Sequence, residues 1–100
     1  MDFELGGDIL QKKRIHIRFH QSGRRAITLI EGFEEDLDLK RISRALKKLF
    51  SCACSIHSDK DGNEIIKLQG NHCVAVRDWI VEQEIISKNE ANDRIVVHGS

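Results

Sequence analysis

Apolar and polar residues alternate along two neighbouring segments in the first third of the chain. In residues 14–20 (RIHIRFH), Ile15, Ile17 and Phe19 fall on one side of an extended chain, and the arginines and histidines fall on the other. This pattern predicts a half-buried β-strand. Residues 26–33 (AITLIEGF) are rich in β-branched side chains and predict a second strand. The five residues between them, QSGRR, contain Gly23, which best tolerates a positive φ, so we expect a hairpin.

The following segment has a helical period. At about 100° per residue, its apolar residues collect within an arc of about 100°; they are Leu39, Ile42, Leu46, Leu49 and Phe50. Its lysines and arginines collect on the opposite side; they are Lys40, Arg41, Arg44, Lys47 and Lys48. Asp38 is a suitable N-cap. The pattern predicts a helix with one apolar side and one strongly basic side.

The second half of the chain predicts a similar order of elements. Residues 51–58 and 64–70 are predicted strands, joined by a turn that contains Asp61 and Gly62. Asn71 is expected to cap a second helix over residues 72–85. The main apolar side of this helix holds Cys73, Val76, Trp79 and Ile80, whereas Val74 and Val81 form a smaller second patch. A turn (KNEAND) leads to a last strand over residues 94–98.

The elements therefore follow the order β-β-α-β-β-α-β. This order predicts an α/β fold, more narrowly an α+β two-layer sandwich, in which both helices cover one face of a mixed sheet. We expect a short flexible N-terminal lead over residues 1–12 and one folded domain over residues 13–100. No apolar run approaches the roughly 18 residues of a membrane span, and no secretory signal is present. We therefore expect a cytoplasmic monomer without a membrane partner.

The charges cancel in total but are segregated along the chain. Sixteen basic and sixteen acidic residues give a formal net charge of zero. Residues 12–25 contain six basic residues and no acid, 31–38 five acids and no base, and 40–48 five bases and no acid. Solvated helix faces usually mix signs, because like charges at i,i+4 destabilise a helix by a few tenths of a kcal/mol. A merely solvated basic face remains one interpretation. A polyanionic partner also explains the two arginines, Arg24 and Arg25, near the hairpin tip.

Structured RNA is the polyanion that the pattern favours. The chain has no tyrosine and offers few outward aromatic residues, which disfavours a sheet that stacks bases. The basic helix lacks the Asn or Gln that would read a DNA major groove. An anionic membrane would compete with the core for the apolar side of the same helix. Contact with RNA phosphates requires neither stacking aromatics nor Asn or Gln in the helix, and it leaves the apolar side of the helix to the core.

Catalytic and metal chemistry find little support. The chain has three cysteines, Cys52, Cys54 and Cys73, and their odd number and C-x-C spacing argue against a disulfide framework. A zinc site built from them and His72 lacks the usual ligand spacing, which favours free thiols. No nucleophile elbow or phosphate-binding glycine loop occurs. We expect no enzyme activity, no metal and no cofactor.

Four ordered motifs carry a resemblance to a known family. They are RIHIRFHQSGRRAITLIEGF, LKRISRALKKLFSCACSI, GNEIIKLQGNH and the terminal IVVHG, and the likeness runs from about residue 12 to residue 99. Together they resemble the eukaryotic translation initiation factor 1 family. The resemblance implies a translation initiation factor that binds the small ribosomal subunit near the P site. It also implies that the factor promotes scanning, opposes poor codon–anticodon pairing and leaves when a start codon is recognised.

The resemblance also implies a place for each group of candidate residues. The hairpin tip would lie by the ribosomal RNA and the mRNA channel, and it comprises Gly23, Arg24 and Arg25. The basic helix would pack on ribosomal RNA through Lys40, Arg41, Arg44, Lys47 and Lys48. The second hairpin loop would lie near the initiator tRNA, whose phosphates its acids would repel; it comprises Asp59, Lys60, Asp61, Gly62 and Asn63. The chain departs from the family in its short lead, in its compact hairpin tip, and at Cys73 and Val74, where basic residues are frequent.

A second hypothesis keeps the fold but changes its use. In this alternative, the domain is a protein-interaction module that docks other initiation factors rather than ribosomal RNA. Its contacts would be the patch of Val74 and Val81 and the acidic stretch 31–38.

Overall fold

The computed structural model describes residues 14–34 and 37–98. In these ranges it contains five strands and three helices. They are β1 (Ile15–Ser22), β2 (Arg25–Glu31), α1 (Leu39–Phe50), β3 (Cys54–Ser58), β4 (Glu64–Gln69), α2 (Cys73–Glu82), α3 (Ala91–Arg94) and β5 (Ile95–His98). The predicted lead over residues 1–12 lies outside the described residues, so the domain bounds stay a prediction.

The strands form one mixed sheet in the order β3-β4-β2-β1-β5. Neighbouring strands are antiparallel except β1 and β5, which are parallel. The helices pack on one face, as predicted. At the end of β5, His98 shares a hydrogen bond with His16 of β1, between Nε2 and Nδ1 at 2.9 Å. The α+β two-layer architecture is therefore confirmed, whereas the strand order was not apparent from the pattern.

The core lies between the sheet and the helices. The cross-strand pairs Ile17–Ile30 and Ile30–Ile66 place buried side chains in a row across three strands. The helices add further buried residues, which are Ile42 and Leu46 of α1 and Cys73, Val76 and Ile80 of α2. Trp79, predicted as core, is half-buried and packs against this cluster. The alternation of β1 is confirmed, because Ile15 and Ile17 are buried and Arg18 and His20 are exposed.

The ends of α1 explain why β3 is shorter than predicted. Asp38 caps the start of the helix, since its Oδ1 accepts a hydrogen bond from the backbone N–H of Arg41 (3.3 Å). Ser51 adopts a left-handed conformation (φ 49°) and donates its N–H to the carbonyl oxygen of Lys47. Cys52 donates to the same oxygen. Residues 51–53 are thus used to end the helix, and the predicted strand start at residue 51 is wrong by three residues.

The segment after Gly70 also differs from the prediction. His72 is the N-cap residue of α2 and makes no side-chain capping bond, although the Asn71 Oδ1 accepts weakly from the Cys73 N–H (3.5 Å). The helix ends at Glu82 instead of residue 85, because Glu84 has φ 58° and Ile85 donates back to Ile80. The predicted cap and the predicted helix end are therefore both displaced.

A short helix, α3, occupies residues that were predicted to be a turn and the first residue of the last strand. The guanidinium of Arg94 binds the carboxylates of Glu90 (3.1 Å) and Glu34 (3.3 Å). The side chain of Arg77 in α2 donates to Asn92 (3.1 Å). The contacts with Glu34 and Arg77 join elements distant in sequence, which explains why the local pattern did not reveal the helix.

A buried threonine joins β2 to the start of α2. Thr28 is fully buried, and its Oγ1 donates to the Gly70 carbonyl (2.7 Å) and accepts from the His72 N–H (2.8 Å). The ring of His72 stacks on Phe50 at the end of α1, with the centroids 4.5 Å apart. Its Nε2 donates to the Gln69 carbonyl (3.0 Å). Thr28 and His72 therefore hold the end of β4, the end of α1 and the start of α2 together.

Gly32 lies where two backbone segments approach closely, and its substitution tests that packing. Its φ is 97°, and a Cβ there would overlap the carbonyl oxygen of Arg14. We expect Gly32→Ala to lower the free energy of unfolding by about 3 kcal/mol or more, because steric overlap adds to the strain of a left-handed residue. Urea denaturation measures the loss.

Gly23→Ala is the matched control for this substitution. Gly23 also has a positive φ (62°), but no heavy atom lies within 4 Å of the position that a Cβ would occupy. Only the conformational strain remains, and we expect a decrease of about 1–2 kcal/mol. Equal decreases for the two variants would show that overlap with Arg14 does not explain the need for glycine at position 32.

Candidate nucleic-acid interface

The basic side of α1 is exposed in the part of the chain that the structure describes. Its five cations are all exposed, and none of them forms an ion pair with a described residue. These are the predicted residues Lys40, Arg41, Arg44, Lys47 and Lys48. The packing of Ile42 and Leu46 on the sheet turns this side away from the core. The interpretation of the stripe as a single exposed face is confirmed by its geometry.

The helix itself benefits from only some of these cations. Lys47 and Lys48 lie in the last turn, where the helix dipole favours positive charge. Lys40 and Arg41 lie in the first turn, which has no acidic residue and where the same dipole disfavours cations. Helix stability therefore accounts for the lysines at the end but not for the cations at the start.

The tip of the first hairpin is tighter than predicted. Ser22 pairs with Arg25, so Gly23 and Arg24 alone form the turn, and Gly23 has a positive φ. The predicted five-residue loop is wrong in length, because the strands extend into it at both ends. Arg24 and Arg25 are exposed, and neither forms an ion pair with a described residue.

Two adjoining grooves link the basic helix to this hairpin. The first, which we call the helix groove, has a volume of about 700 Å³ and is lined by Arg44, Lys47, Lys48, Ser51, Cys52, Ala53 and Gln69. The second, which we call the sheet groove, has a volume of about 280 Å³ and is lined by Arg25, Ala26, Ile27, Ala53, Cys54, Ser55, Lys67 and Gln69. Because Ala53 and Gln69 line both, Arg25 and the cations late in α1 belong to one surface at one end of the sheet.

Lys67 is a member of this surface that sequence reasoning missed. It is exposed on β4 between the buried residues Ile66 and Leu68. The alternation in EIIKLQ was a signal that Lys67 points away from the helices. No charged neighbour in sequence drew attention to it, and only the pairing of β4 with β2 and β3 brings it near Arg25.

The second hairpin loop lies at the opposite end of the sheet. Ile27 near the first hairpin tip pairs with Gln69, whereas Glu31 pairs with Ile65 near the second loop. Residues 59–63 are therefore separated from Arg24 and Arg25 by the length of the paired strands. The start of α1 is at this second end, since Leu39 lines a cavity together with Asp61 and Gly62. The predicted interface thus comprises two regions.

Asp59 organises the second loop. Its Oδ1 accepts from the backbone N–H groups of Asp61 and Asn63, each at 2.9 Å. Its own N–H donates to the Asn63 carbonyl (2.9 Å). The hydrogen bond from the backbone of Asn63, with others from this loop, lowers the pKa of Asp59. The carboxylate expected to act as a free negative charge therefore also holds the loop.

The alternative protein-docking surface is divided in the structure. Val74 is 66% exposed, whereas Val81 is half-buried and packs against the core. In the acidic stretch 31–38, Glu31 binds Arg18 (2.8 Å) and Glu34 binds Arg94 (3.3 Å). Asp38 caps α1, and residues 35 and 36 lie outside the described residues. The acids of this stretch that the structure describes are therefore engaged inside the domain.

The cysteines form no metal site in the described part of the chain. There, no three His, Cys, Asp or Glu side chains lie close enough to hold a metal ion, and all three cysteines are free thiols. Burial raises the pKa of the Cys52 and Cys73 thiols, which disfavours the nucleophilic thiolate. No helix among residues 14–34 and 37–98 is long and apolar enough to cross a membrane.

Comparison with known proteins identifies the family. The family model described as "Translation initiation factor SUI1" matches residues 11–86. The chain belongs to this family. It is 40% identical over 86 residues to the initiation factor eIF-1 of Saccharomyces cerevisiae, covering 85% of this chain and 76% of the yeast protein. It is 31% identical over 102 residues to human eukaryotic translation initiation factor 1, covering 98% and 87% of the two chains.

A solved structure supports the fold of this SUI1 family member. The C-terminal domain of human eIF2D matches with a TM-score of 0.71 at 15% identity, over 85% of this chain and 42% of that one. Membership confirms the resemblance in the ordered motifs and assigns the protein a role in translation initiation with the initiation machinery. The family is one of initiation factors, not of enzymes.

The order of the second loop is expected to depend on pH through Asp59. Its pKa is lower in the folded protein than the unfolded value of about 3.9. The carboxylate therefore stabilises the loop above the unfolded pKa, and this contribution disappears as pH falls through the lower, folded pKa. The amide NMR shifts of Asp61 and Asn63 should move together in this acidic range. Asp59→Asn should abolish the shared transition, and its persistence in that variant would assign the transition to another group.

Proposed function

We propose that this SUI1 family member binds the small ribosomal subunit near the P site and promotes scanning and faithful start-codon selection in the cytoplasm. The observation that supports this proposal is the set of five exposed cations on α1 without ion pairs to described residues. The helix groove and the sheet groove extend the same positive surface to Arg25. Ribosomal RNA is the partner whose phosphates match it.

Binding of this kind gains affinity from released counterions. Each phosphate neutralised by a lysine or arginine releases condensed cations, so affinity falls as salt rises. A rigid helix and a tight hairpin hold the backbone that carries the cations in place, so little loop ordering is needed on binding. The surface therefore suits recognition of folded RNA by its shape and its backbone, without base contacts in the helix groove.

The second loop has a different role in this proposal. Residues 59–63 lie at the other end of the sheet and carry the exposed Asp61 and Lys60. With α1 on ribosomal RNA, this end would face the initiator tRNA. The Asp61 charge would repel a tRNA phosphate until codon–anticodon pairing compensates for the repulsion. The mRNA would pass near the first hairpin tip at the opposite end.

Reversal of two charges on α1 tests the proposed RNA surface. We expect Lys47→Glu/Lys48→Glu to weaken binding to purified small subunits at least tenfold, because two attractive interactions with phosphates become repulsive. The slope of log affinity against log salt should also become shallower, by roughly 0.7–0.9 for each phosphate that is no longer neutralised. Fluorescence anisotropy across a salt series measures both quantities.

Lys88→Glu is the matched control. It reverses one charge, so its affinity for small subunits is compared with that of the single variant Lys48→Glu. Lys88 is exposed and lies outside both grooves. We expect near-normal affinity for Lys88→Glu. Wild-type affinity in a correctly folded Lys47→Glu/Lys48→Glu protein would exclude the basic side of α1 as the RNA surface.

Neutralising the second loop tests the selection step. We expect Asp61→Asn to raise initiation at UUG relative to AUG in a dual reporter, because less repulsion opposes a poorly paired tRNA. Asp93→Asn, an exposed acid on α3, should leave the ratio unchanged. An unchanged ratio in Asp61→Asn would argue against the electrostatic role of this loop while leaving the role of α1 untouched.

A further inference from the structure

We propose that the sheet groove is a second RNA subsite that holds one unstacked nucleotide, with its phosphate at Arg25 and Lys67 and its base over Ile27. This inference rests on the proposed function, because it extends the RNA surface of α1. It adds a contact on the sheet face opposite to the helices.

The strand register brings the groove together on the open face of the sheet. Ile27 pairs with Gln69, and Ser55 pairs with Lys67. Side chains alternate between the two faces along each strand, and the neighbours Thr28, Ile66 and Leu68 point into the core. Arg25 and Ile27 of β2, Lys67 and Gln69 of β4 and Ser55 of β3 therefore share the face without helices.

The charge of the groove favours an anion. Arg25 and Lys67 are its charged residues, and no acid lines it among the residues that the structure describes. Neither cation forms an ion pair with a described residue. The cavity at the other end of the sheet differs, because its lining includes Arg14 and Arg18 but also Glu31, Glu34, Asp61 and Glu64. Of these two cavities at opposite ends of the sheet, the sheet groove is therefore the one suited to an anion.

The size and lining of the groove fit a single nucleotide. Its volume of about 280 Å³ lies just below the roughly 300–1,000 Å³ of small-molecule sites, so it suits one nucleotide and no larger ligand. Ile27 and Ala53 supply an apolar contact area, and the Ser55 hydroxyl and the Gln69 amide supply polar groups for a base edge. No aromatic residue of the described ranges lines the groove, so the base would pack on the apolar side chain of Ile27 while Arg25 and Lys67 hold the phosphate.

The neighbouring groove supplies the rest of the RNA strand. Ala53 and Gln69 form the border that the sheet groove shares with the helix groove, where Lys47 and Lys48 lie. This border is fixed, because the Gln69 N–H donates to the Ala53 carbonyl (3.0 Å). An RNA backbone held by the lysines can therefore continue around the edge of the sheet and place its next nucleotide at Lys67.

An uncharged substitution that fills the groove tests the subsite. Ser55 is exposed, and its hydroxyl shares a hydrogen bond with His57 Nε2 (2.8 Å). We expect Ser55→Leu to lower affinity for a fluorescent single-stranded RNA, hexauridylate, about tenfold, because the larger side chain occupies the space of the base and removes its contacts. The salt slope should stay unchanged. Lys67→Gln should lower both the affinity and the slope, the slope by about 0.7 for one single-strand phosphate.

His57→Leu is the control variant for this experiment. It breaks the same bond to Ser55 on the same strand, but His57 does not line the groove. Its affinity for hexauridylate should match the wild-type value. Equal affinities for Ser55→Leu and His57→Leu, or no binding of hexauridylate by the wild-type protein, would overturn the subsite.

Binding to the small ribosomal subunit distinguishes failure of the subsite from failure of the proposed function. If Ser55→Leu binds both hexauridylate and subunits normally while Lys47→Glu/Lys48→Glu no longer binds subunits, the function stands and the subsite falls. If the wild-type protein does not bind subunits, the proposed function falls. A tenfold weaker binding of hexauridylate by Ser55→Leu alone would still support a nucleotide site in the groove.

Discussion

Burial of the apolar side of α1 against the sheet determines where its charge points. Ile42 and Leu46 are 8% and 0% exposed, and burying such a side chain contributes about 1.5–3 kcal/mol. The repulsion between like charges at i,i+4 amounts to only a few tenths of a kcal/mol per pair. Each of the two cations in the first turn interacts unfavourably with the helix dipole, which destabilises the helix by a further amount of about 0.3–1 kcal/mol. Packing therefore dominates, and the helix can carry a single-signed outer side and still keep its position.

The zero net charge conceals an uneven placement of acids and bases on the surface. In the described residues, Glu31, Glu34 and Glu90 bind arginines of the same domain, and Asp38 caps a helix. The lysines and arginines of α1 and of the first hairpin tip form no ion pairs with described residues. These acids compete weakly for a partner, whereas the cations of α1 and of the hairpin tip remain available to one; the exposed acid Asp61 lies at the opposite end of the sheet. A formally neutral factor of the SUI1 family can thus present a surface suited to a polyanion.

A small polar network holds the two ends of that surface in register. Gln69 lies on the border of both grooves, and its carbonyl and N–H are bound by His72 and Ala53. The same His72 stacks on the end of α1 and donates its N–H to Thr28 of β2. The hairpin that carries Arg25 is therefore tied to the helix that carries Lys47 and Lys48. This link makes the basic surface a rigid feature of the fold.

Local periodicity alone determined the strands, the two main helices and the two sides of α1, because each depends on residues within one or two turns or on strict alternation. The ordered motifs likewise sufficed to indicate the family. The strand order, α3, the burial of Val81 and the place of Lys67 beside Arg25 depended on contacts between distant residues, such as that of Thr28 with Gly70, 42 positions away. Periodicity shows which face a side chain occupies, but only the pairing of strands decides which side chains share that face as neighbours. For this reason the basic helix was evident in the sequence, and the groove that continues it across the sheet was not.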